Sequence, residues 1–131
     1  MNSIEGDCMA EIILKRIYEP YDDRDGDRIL IDRLWPRGIS KEEAKLTDWA
    51  KSIAPSSELR KWFCHKEELF EEFKIRYLDE LRTDRQKSEK VTELCQRAEH
   101  QRVTLLYAAK DPIHNHARVL WEELQRRMEE E

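Results

Sequence analysis

The 131-residue sequence lacks the features that mark secreted, membrane-spanning and redox-active proteins. Its three cysteines, Cys8, Cys64 and Cys95, are an odd set without Cys-x-x-Cys spacing, which predicts reduced thiols and a cytoplasmic location. No charged segment followed by an apolar one opens the chain, and no apolar run approaches the roughly 18 residues of a membrane-spanning helix. We therefore expect no membrane partner.

An overall basic charge is also missing. The formal net charge of -5 at pH 7 argues against general nucleic-acid binding, which normally needs a basic domain or a basic face. A local basic patch is still compatible with the sequence, because several cations lie in its first half: Arg24, Arg28, Arg33, Arg37, Arg60 and Lys61. This asymmetry favours a small anionic molecule as the partner and leaves nucleic acid as the less favoured one.

Repeats, linkers and low-complexity segments are absent, and the length suits one domain. Charged residues make up 40% of the chain, but apolar residues recur at regular spacings, which disordered chains lack. We predict a disordered extension over residues 1–8 and a single domain over residues 9–131. The oligomeric state is left open.

Hydrophobic patterning predicts an α/β fold. Short runs rich in β-branched and large apolar residues predict strands over residues 12–18, 28–34 and 103–109. Capping signals and three- and four-residue apolar spacings predict about five helices: four start near residues 41, 56, 69 and 112, and a weaker one covers residues 91–98. The last helix along the chain begins at Asp111-Pro112, which matches an N-cap followed by proline at the first helical position. The short connection between the first two strands favours an antiparallel pair when it is considered alone.

The segment Asp32–Gly38 concentrates two guanidinium groups, an indole and a carboxylate directly after an apolar run. If the second and third strands are parallel, this segment and Lys110–His116 emerge together at the carboxyl edge of the sheet, where α/β proteins bind ligands. Arg33, Arg37 and Lys110 can then converge on one phosphate or carboxylate, which arginine binds through two parallel hydrogen bonds. The start of the last helix adds unpaired N–H groups.

The remaining candidates complete this anion site. Trp35 would supply an apolar or stacking wall, Asn115 a hydrogen bond, and His116 with Asp32 or Asp111 any proton transfer. The ligand-binding set also includes Arg60, Gly38 and Tyr107. Gly38 is expected to serve backbone geometry, and Tyr107 belongs either to the core or to the cleft.

A purely structural interpretation stands beside this one. In it, Arg33 pairs with Asp32 or Asp111, and Trp35-Pro36 packs and turns the chain. A further alternative is a non-catalytic interaction module that contacts single-stranded nucleic acid or a protein partner, with Trp35 and Trp62 next to arginines.

A metal site is not predicted, and the cofactor is left unknown. His114 and His116 are two positions apart, so on a helix they would point in nearly opposite directions. Cys64 is expected to be a small buried hydrophobe, and His65 a cap or a pocket wall. A weaker hypothesis joins these four residues in one metal site.

Several ordered blocks of the sequence resemble a known family: Lys15–Pro20, Asp32–Ile39, Ala54–Phe63, and Thr104–Asp111 with Asn115–Ala117. They are similar to the short, YeaO-like branch of domain-of-unknown-function family 488, from about Met9 to Leu124. The longer branch of that family joins its first two strands by a helix, which implies a parallel pair here.

The resemblance decides the predicted fold and adds little about function. Combined with the predicted elements, it gives a small, mostly parallel sheet of about three core strands flanked by about five helices. Longer relatives tend to carry a cysteine and a histidine where this chain has Asn115-His116, so thiol chemistry does not carry over. Whether the protein is an enzyme stays open, because the family is uncharacterised.

Overall fold

The computed structural model describes residues 11–130, which form an α/β fold around one parallel sheet. The four strands are β1 (Ile12–Arg16), β2 (Asp27–Leu30), β3 (Asp48–Trp49) and β4 (Val103–Tyr107), in the spatial order β1-β4-β2-β3. The predicted α/β class is confirmed, with one strand more than expected. β3 escaped prediction because a strand of two residues is too short to show an apolar alternation. The extension predicted for residues 1–8 lies outside the described residues.

The antiparallel expectation for the first two strands is wrong, and the parallel direction implied by the family resemblance is confirmed. β1 and β2 are not neighbours, because both pair in parallel with β4, which lies between them. Their connection crosses β4 in a compact form that includes a 3-10 helix, Asp23–Asp25. Thr104 of β4 fixes this crossover by donating its hydroxyl to the carbonyl of Asp25 at 2.7 Å.

Five α-helices accompany the sheet in the described residues, as predicted. They are α1 (Lys41–Ala44), α2 (Ser57–Phe63), α3 (Phe70–Thr83), α4 (Arg85–Ala98) and α5 (His116–Glu129). Short 3-10 helices lie at Lys51–Ile53 and Glu67–Leu69. Within residues 11–130, no helix combines the length and the apolar character needed to cross a bilayer.

The two faces of the sheet are covered differently. The amphipathic faces of α3, α4 and α5 bury the main core, which includes Ile29, Phe73, Leu94, Leu105 and Leu120. The opposite face carries a smaller cluster of Ile17, Leu30, Ala44 and Leu106, with Trp35 and Trp49 packed against it. The loop after β2 therefore packs through Trp35 against the smaller hydrophobic cluster.

The last helix begins later than predicted, at His116. The side-chain carbonyl of Asn115 accepts a hydrogen bond from the N–H of Arg118 at 2.9 Å, so Asn115 is the N-cap. Asp111 instead accepts the N–H groups of Ile113 and His114, which closes a turn before the helix. Two residues with capping chemistry stand four positions apart, and the second of them starts the helix.

Each of the three predicted strands is shorter in the structure than its apolar run in the sequence. β2 ends at Leu30 rather than Leu34, because the chain turns where the carboxylate of Asp32 accepts the N–H of Ala108 at 3.0 Å. β1 and β4 likewise end at Arg16 and Tyr107. The residues that follow each strand are consequently free to build the edge of the sheet.

Candidate functional site

Residues that follow all four strands enclose a cavity of about 560 Å³ at the carboxyl edge of the sheet. Because the strands are parallel, these exits lie on the same side of the molecule. The loops and turns contribute Tyr18, Asp32, Arg33, Leu34, Trp35, Pro36, Arg37, Ala54, Pro55, His65, Ala108, Ala109 and Asn115, and the helices contribute Arg60, Lys61, Phe63, Phe73 and His116. The topology thus joins the two stretches that the sequence analysis placed at one edge.

Asp32 and His116 form a polar pair in the wall of this cavity. His116 Nε2 lies 3.0 Å from the carbonyl oxygen of Ile31 and 3.2 Å from Asp32 Oδ1. Both neighbours are acceptors, so Nε2 carries the hydrogen. Its hydrogen bond goes to Ile31, and Asp32 Oδ1 is buried without a hydrogen bond of ordinary geometry from residues 11–130.

Buried groups hold this pair in place. Asp32 Oδ2 accepts the N–H of Ala108, and the ring of His116 packs edge-on against Tyr77 at a centroid distance of 6.1 Å. Tyr77 donates its hydroxyl to the carbonyl of Ile53 at 2.6 Å, and burial raises the pKa of Tyr77 well above its usual value. The tyrosine therefore stays neutral, and the imidazole of His116 packs against a side chain that is fixed by its own hydrogen bond.

Four cationic side chains line the cavity. They are Arg33, Arg37, Arg60 and Lys61, and all four are exposed. No carboxylate among residues 11–130 lies within 4.0 Å of any of them. Arg33 instead donates to the hydroxyl of Ser57 at 2.6 Å, so the alternative in which Arg33 pairs with Asp32 or Asp111 is not what the structure shows.

This lack of partners sets the cavity apart from the rest of the described chain. Every arginine there lies within 4.0 Å of a carboxylate oxygen, except Arg33, Arg37 and Arg60 at the cavity, and Arg16. The guanidinium of Arg16 donates to the carbonyls of Ala108 and Ala109, which themselves line the cavity. Uncompensated arginine charge is therefore concentrated at one edge of the sheet.

Hydrogen bonds fix the loop that carries Arg33 and Arg37. The indole of Trp35 donates to the carbonyl of Ile39 at 2.6 Å and packs edge-on against Trp49 at 5.3 Å. Trp49 in turn donates its own indole N–H to the carbonyl of Asp32 at 2.7 Å. Tyr18 closes the other end of the loop by donating its hydroxyl to the carbonyl of Arg37.

Four of the sequence-predicted site residues do not line the cavity: Gly38, Tyr107, Lys110 and Asp111. Tyr107 is buried in β4, which is the core alternative, and Lys110 is exposed. Asp111 serves the turn before α5, where the N–H groups of Ile113 and His114 lower the pKa of its carboxyl to about 2. Asn115 does line the cavity, but its side chain already caps α5 and donates to the carbonyl of Asp111.

Several lining residues were not singled out from the sequence. Tyr18, Phe63 and Phe73 look like core residues in a sequence, because aromatic residues at a strand exit or on a helix face are usually packed inside. Lys61 was named in the basic patch but not among the candidate site residues, although it stands next to Arg60 in a block shared with the family. His65 lines the cavity, which is the pocket-wall alternative of the two offered for it.

The expected burial of Cys64 is wrong, and its metal hypothesis gains no support. Cys64 is exposed, because it ends α2 in the left-handed conformation with φ 48°. Among residues 11–130, the group with ligand atoms close enough to share a metal ion is a different one, namely Glu67, Asp111 and His114. Its members are solvent-accessible, and Asp111 and His114 already contact each other at 2.9 Å.

Similar proteins are themselves uncharacterised. The chain is 45% identical to the uncharacterised protein YeaO of Escherichia coli (strain K12), over 81% of this chain and 90% of that protein. It is 40% identical to the uncharacterised protein Rv3073c of Mycobacterium tuberculosis and to Mb3100c of Mycobacterium bovis, over 85% of this chain and 91% of each relative. No solved structure gives a significant match. A family model described as "Inactive DUF488-N3 subclade" matches residues 11–131, and the chain therefore belongs to that subclade of the DUF488 family.

Proposed function

We propose that this protein binds a small molecule bearing a phosphate or carboxylate group in the cavity at the carboxyl edge of its sheet. The observation that carries the proposal is the set of four lining cations, Arg33, Arg37, Arg60 and Lys61, without a carboxylate partner in residues 11–130. The chain has a net charge of -5 and pairs its other described arginines, apart from Arg16, with carboxylates. Leaving three arginines unpaired around one cavity is a feature that an anionic ligand would complete.

The geometry of the helices supports the same ligand class. α5 presents its first turn to the cavity, since both its N-cap Asn115 and its first residue His116 line the wall. Backbone N–H groups at a helix start and about half a unit of positive charge favour an anion there. Arginine adds planar, two-pronged hydrogen bonding that suits phosphate and carboxylate groups.

We propose binding without turnover. The description of the subclade as inactive supports a binding role. His116 Nε2 donates its hydrogen to the carbonyl of Ile31, so this nitrogen cannot accept a proton from a ligand. Asp111, the third predicted catalytic residue, lies off the cavity wall.

We also propose a cytoplasmic location, which the cysteine pattern supports.

The single-stranded nucleic-acid alternative has less support. Trp35 and Trp62 line different cavities, and Arg76 covers the ring of Trp62 at 4.4 Å. Bases that stack along a strand need aromatic rings on one continuous platform. We therefore favour a small molecule over an oligonucleotide.

Calorimetric titration with inorganic phosphate and pyrophosphate tests the proposal. Arg37→Gln and Arg33→Gln should each weaken binding about tenfold or more, because a hydrogen bond to a charged group contributes about 1.5–3 kcal/mol. Arg85→Gln is the matched control, since Arg85 is exposed on α4 and pairs with Glu89. Binding of neither anion by the wild type, or equal losses in Arg37→Gln and Arg85→Gln, would contradict the proposal.

A further inference from the structure

The cavity is larger than a single inorganic anion requires. Its volume of about 560 Å³ lies within the range of roughly 300–1,000 Å³ that is typical of pockets for whole metabolites. The four lining cations are all exposed, so they stand at the mouth of the cavity. An anionic group held there leaves the inner space unfilled, and the ligand therefore has a body attached to that group.

The inner wall of the cavity is apolar. Phe63 and Phe73 are buried, stack at 4.3 Å and line the cavity together with Ala54 and Pro55. Leu34 extends this apolar lining to the mouth, because it is 69% exposed and lines the same cavity. Apolar walls of this kind bind the body of a ligand by removing its surface from water.

The charged and the apolar groups come from the same two elements. In the loop after β2, Leu34 directly follows Arg33. On α2, Arg60 and Phe63 stand three positions apart, so they lie on one face of the helix. Each element thus offers a cation and an apolar side chain to one ligand.

Three other polar side chains of the lining use hydrogen bonds within the protein. Tyr18 and Trp35 donate to backbone carbonyls of the loop after β2. The amide of Asn115 caps α5 and donates to a carbonyl of the preceding turn. A ligand body rich in hydroxyl groups would lose hydrogen bonds to water on entering, and this cost favours an apolar body.

We propose that the ligand is an amphipathic anion, in which one phosphate or carboxylate group is joined to an aromatic ring or a hydrocarbon chain. The anionic group binds the cations at the mouth, and the apolar body packs against Leu34, Phe63 and Phe73. This inference rests on the proposed function, which it makes more specific. Sugar phosphates are then not the preferred ligands.

Calorimetry with inorganic phosphate, ribose 5-phosphate, hexyl phosphate, 1-naphthyl phosphate and 1-naphthol tests the inference. We expect hexyl or 1-naphthyl phosphate to bind about tenfold or more tightly than the first two compounds, because it transfers apolar surface from water into the cavity. The tighter of the two distinguishes a chain from a ring. 1-Naphthol should bind about tenfold or more weakly than its phosphate, since it lacks the group that the cations hold.

A matched pair of exposed apolar residues tests the role of this cavity. Leu34→Gln should reduce the preference for the apolar phosphate over inorganic phosphate by about threefold or more, because it places a polar group in the apolar lining. Ile75→Gln is the control, since Ile75 is 64% exposed on α3 and lines a different cavity. It should leave the preference intact, and thermal melting checks that both variants fold.

The outcomes separate the two proposals. Equal affinity for inorganic phosphate and both apolar phosphates, or tightest binding of ribose 5-phosphate, would overturn the amphipathic ligand and leave anion binding standing. Equal losses in Leu34→Gln and Ile75→Gln would likewise overturn it. Equal affinity for 1-naphthol and 1-naphthyl phosphate, or binding of none of the compounds, would remove both proposals.

Discussion

At the scale of single residues, Glu123 shows how this chain neutralises buried charge away from the cavity. Its side chain is 1% exposed, and its oxygens contact the guanidinium groups of Arg82, Arg126 and Arg127 at about 3 Å. Burial alone would raise the pKa of Glu123, but the three arginines lower it to about 2. The arginines at the cavity have no such partner in the described residues, and this contrast underlies the proposed anion site.

Glu123→Gln is expected to destabilise the fold by about 3 kcal/mol at pH 7, because it leaves three arginines without their shared carboxylate. The folded pKa of about 2 lies below the ordinary value of 4.5, so this carboxylate stabilises the fold above pH 4.5. That contribution is lost as the pH falls from about 4.5 to 2. Urea unfolding across this pH range should show a weaker pH dependence in the variant. An unchanged dependence would contradict the assignment.

Two glycines in left-handed backbone conformation offer a matched pair of substitutions. A Cβ at Gly26, φ 68°, would lie 2.2 Å from the carbonyl oxygen of Arg102, whereas a Cβ at Gly38, φ 77°, would meet nothing within 4 Å. Gly38→Ala should therefore cost only the conformational strain of about 1 kcal/mol. Gly26→Ala should cost several times as much, because the crossover must move away from β4. Equal midpoints in chemical unfolding would show that the close approach at Gly26 is unimportant.

Which side chains reach the cavity could be predicted only in part. The residues of the Asp32–Gly38 segment were recognisable by their density of functional groups, and Asp32, Arg33, Trp35 and Arg37 do line the wall. Lys110 and Asp111 follow β4 just as directly, but the chain turns there and directs them elsewhere. Sequence position indicates which edge of the sheet a residue belongs to, and the local turn decides whether it faces the cavity.

At the scale of elements, long periodic helices were predictable and short or capped features were not. The apolar spacing of residues 69–81 anticipated α3 to within two residues at its ends. The start of α5 was misplaced, because Asp111-Pro112 and Asn115 both carry N-cap chemistry. The buried amide of Asn115 makes two hydrogen bonds and Asp111 remains half-exposed, so tertiary burial selects the later cap.

Asn115→Ala should destabilise the protein by about 1–2 kcal/mol, since an N-cap of α5 is lost together with the bond to the carbonyl of Asp111. Asp111→Ala is the comparison, because it removes only the turn before the helix. Urea unfolding followed by helical circular dichroism measures both. A larger loss for Asp111→Ala would mean that the helix is organised from the earlier residue.

At the scale of the whole molecule, the strand directions were the part that local rules could not supply. The short connection between β1 and β2 favoured an antiparallel pair, yet the strands are parallel because β4, far away in sequence, lies between them. A loop-length rule applies to neighbours, and the sequence does not say which strands are neighbours. The family resemblance provided the direction, and with it the expectation of one functional edge.

A cationic cavity in a chain of net charge -5 makes ligand binding and stability depend on salt in a defined way. Phosphate that binds the folded state stabilises it by RT ln(1 + [L]/Kd), about 2.7 kcal/mol at a hundredfold excess over Kd. Added potassium chloride should reduce this gain, because screening weakens attraction between exposed charges. Phosphate also stabilises proteins generally by exclusion from their surface, which the double variant Arg33→Gln/Arg37→Gln controls for.

We expect thermal melting to show a salt-sensitive phosphate effect in the wild type and in Arg85→Gln, and only the small general effect in the double variant. An identical shift in all three proteins would mean that the unpaired arginines do not form an anion site.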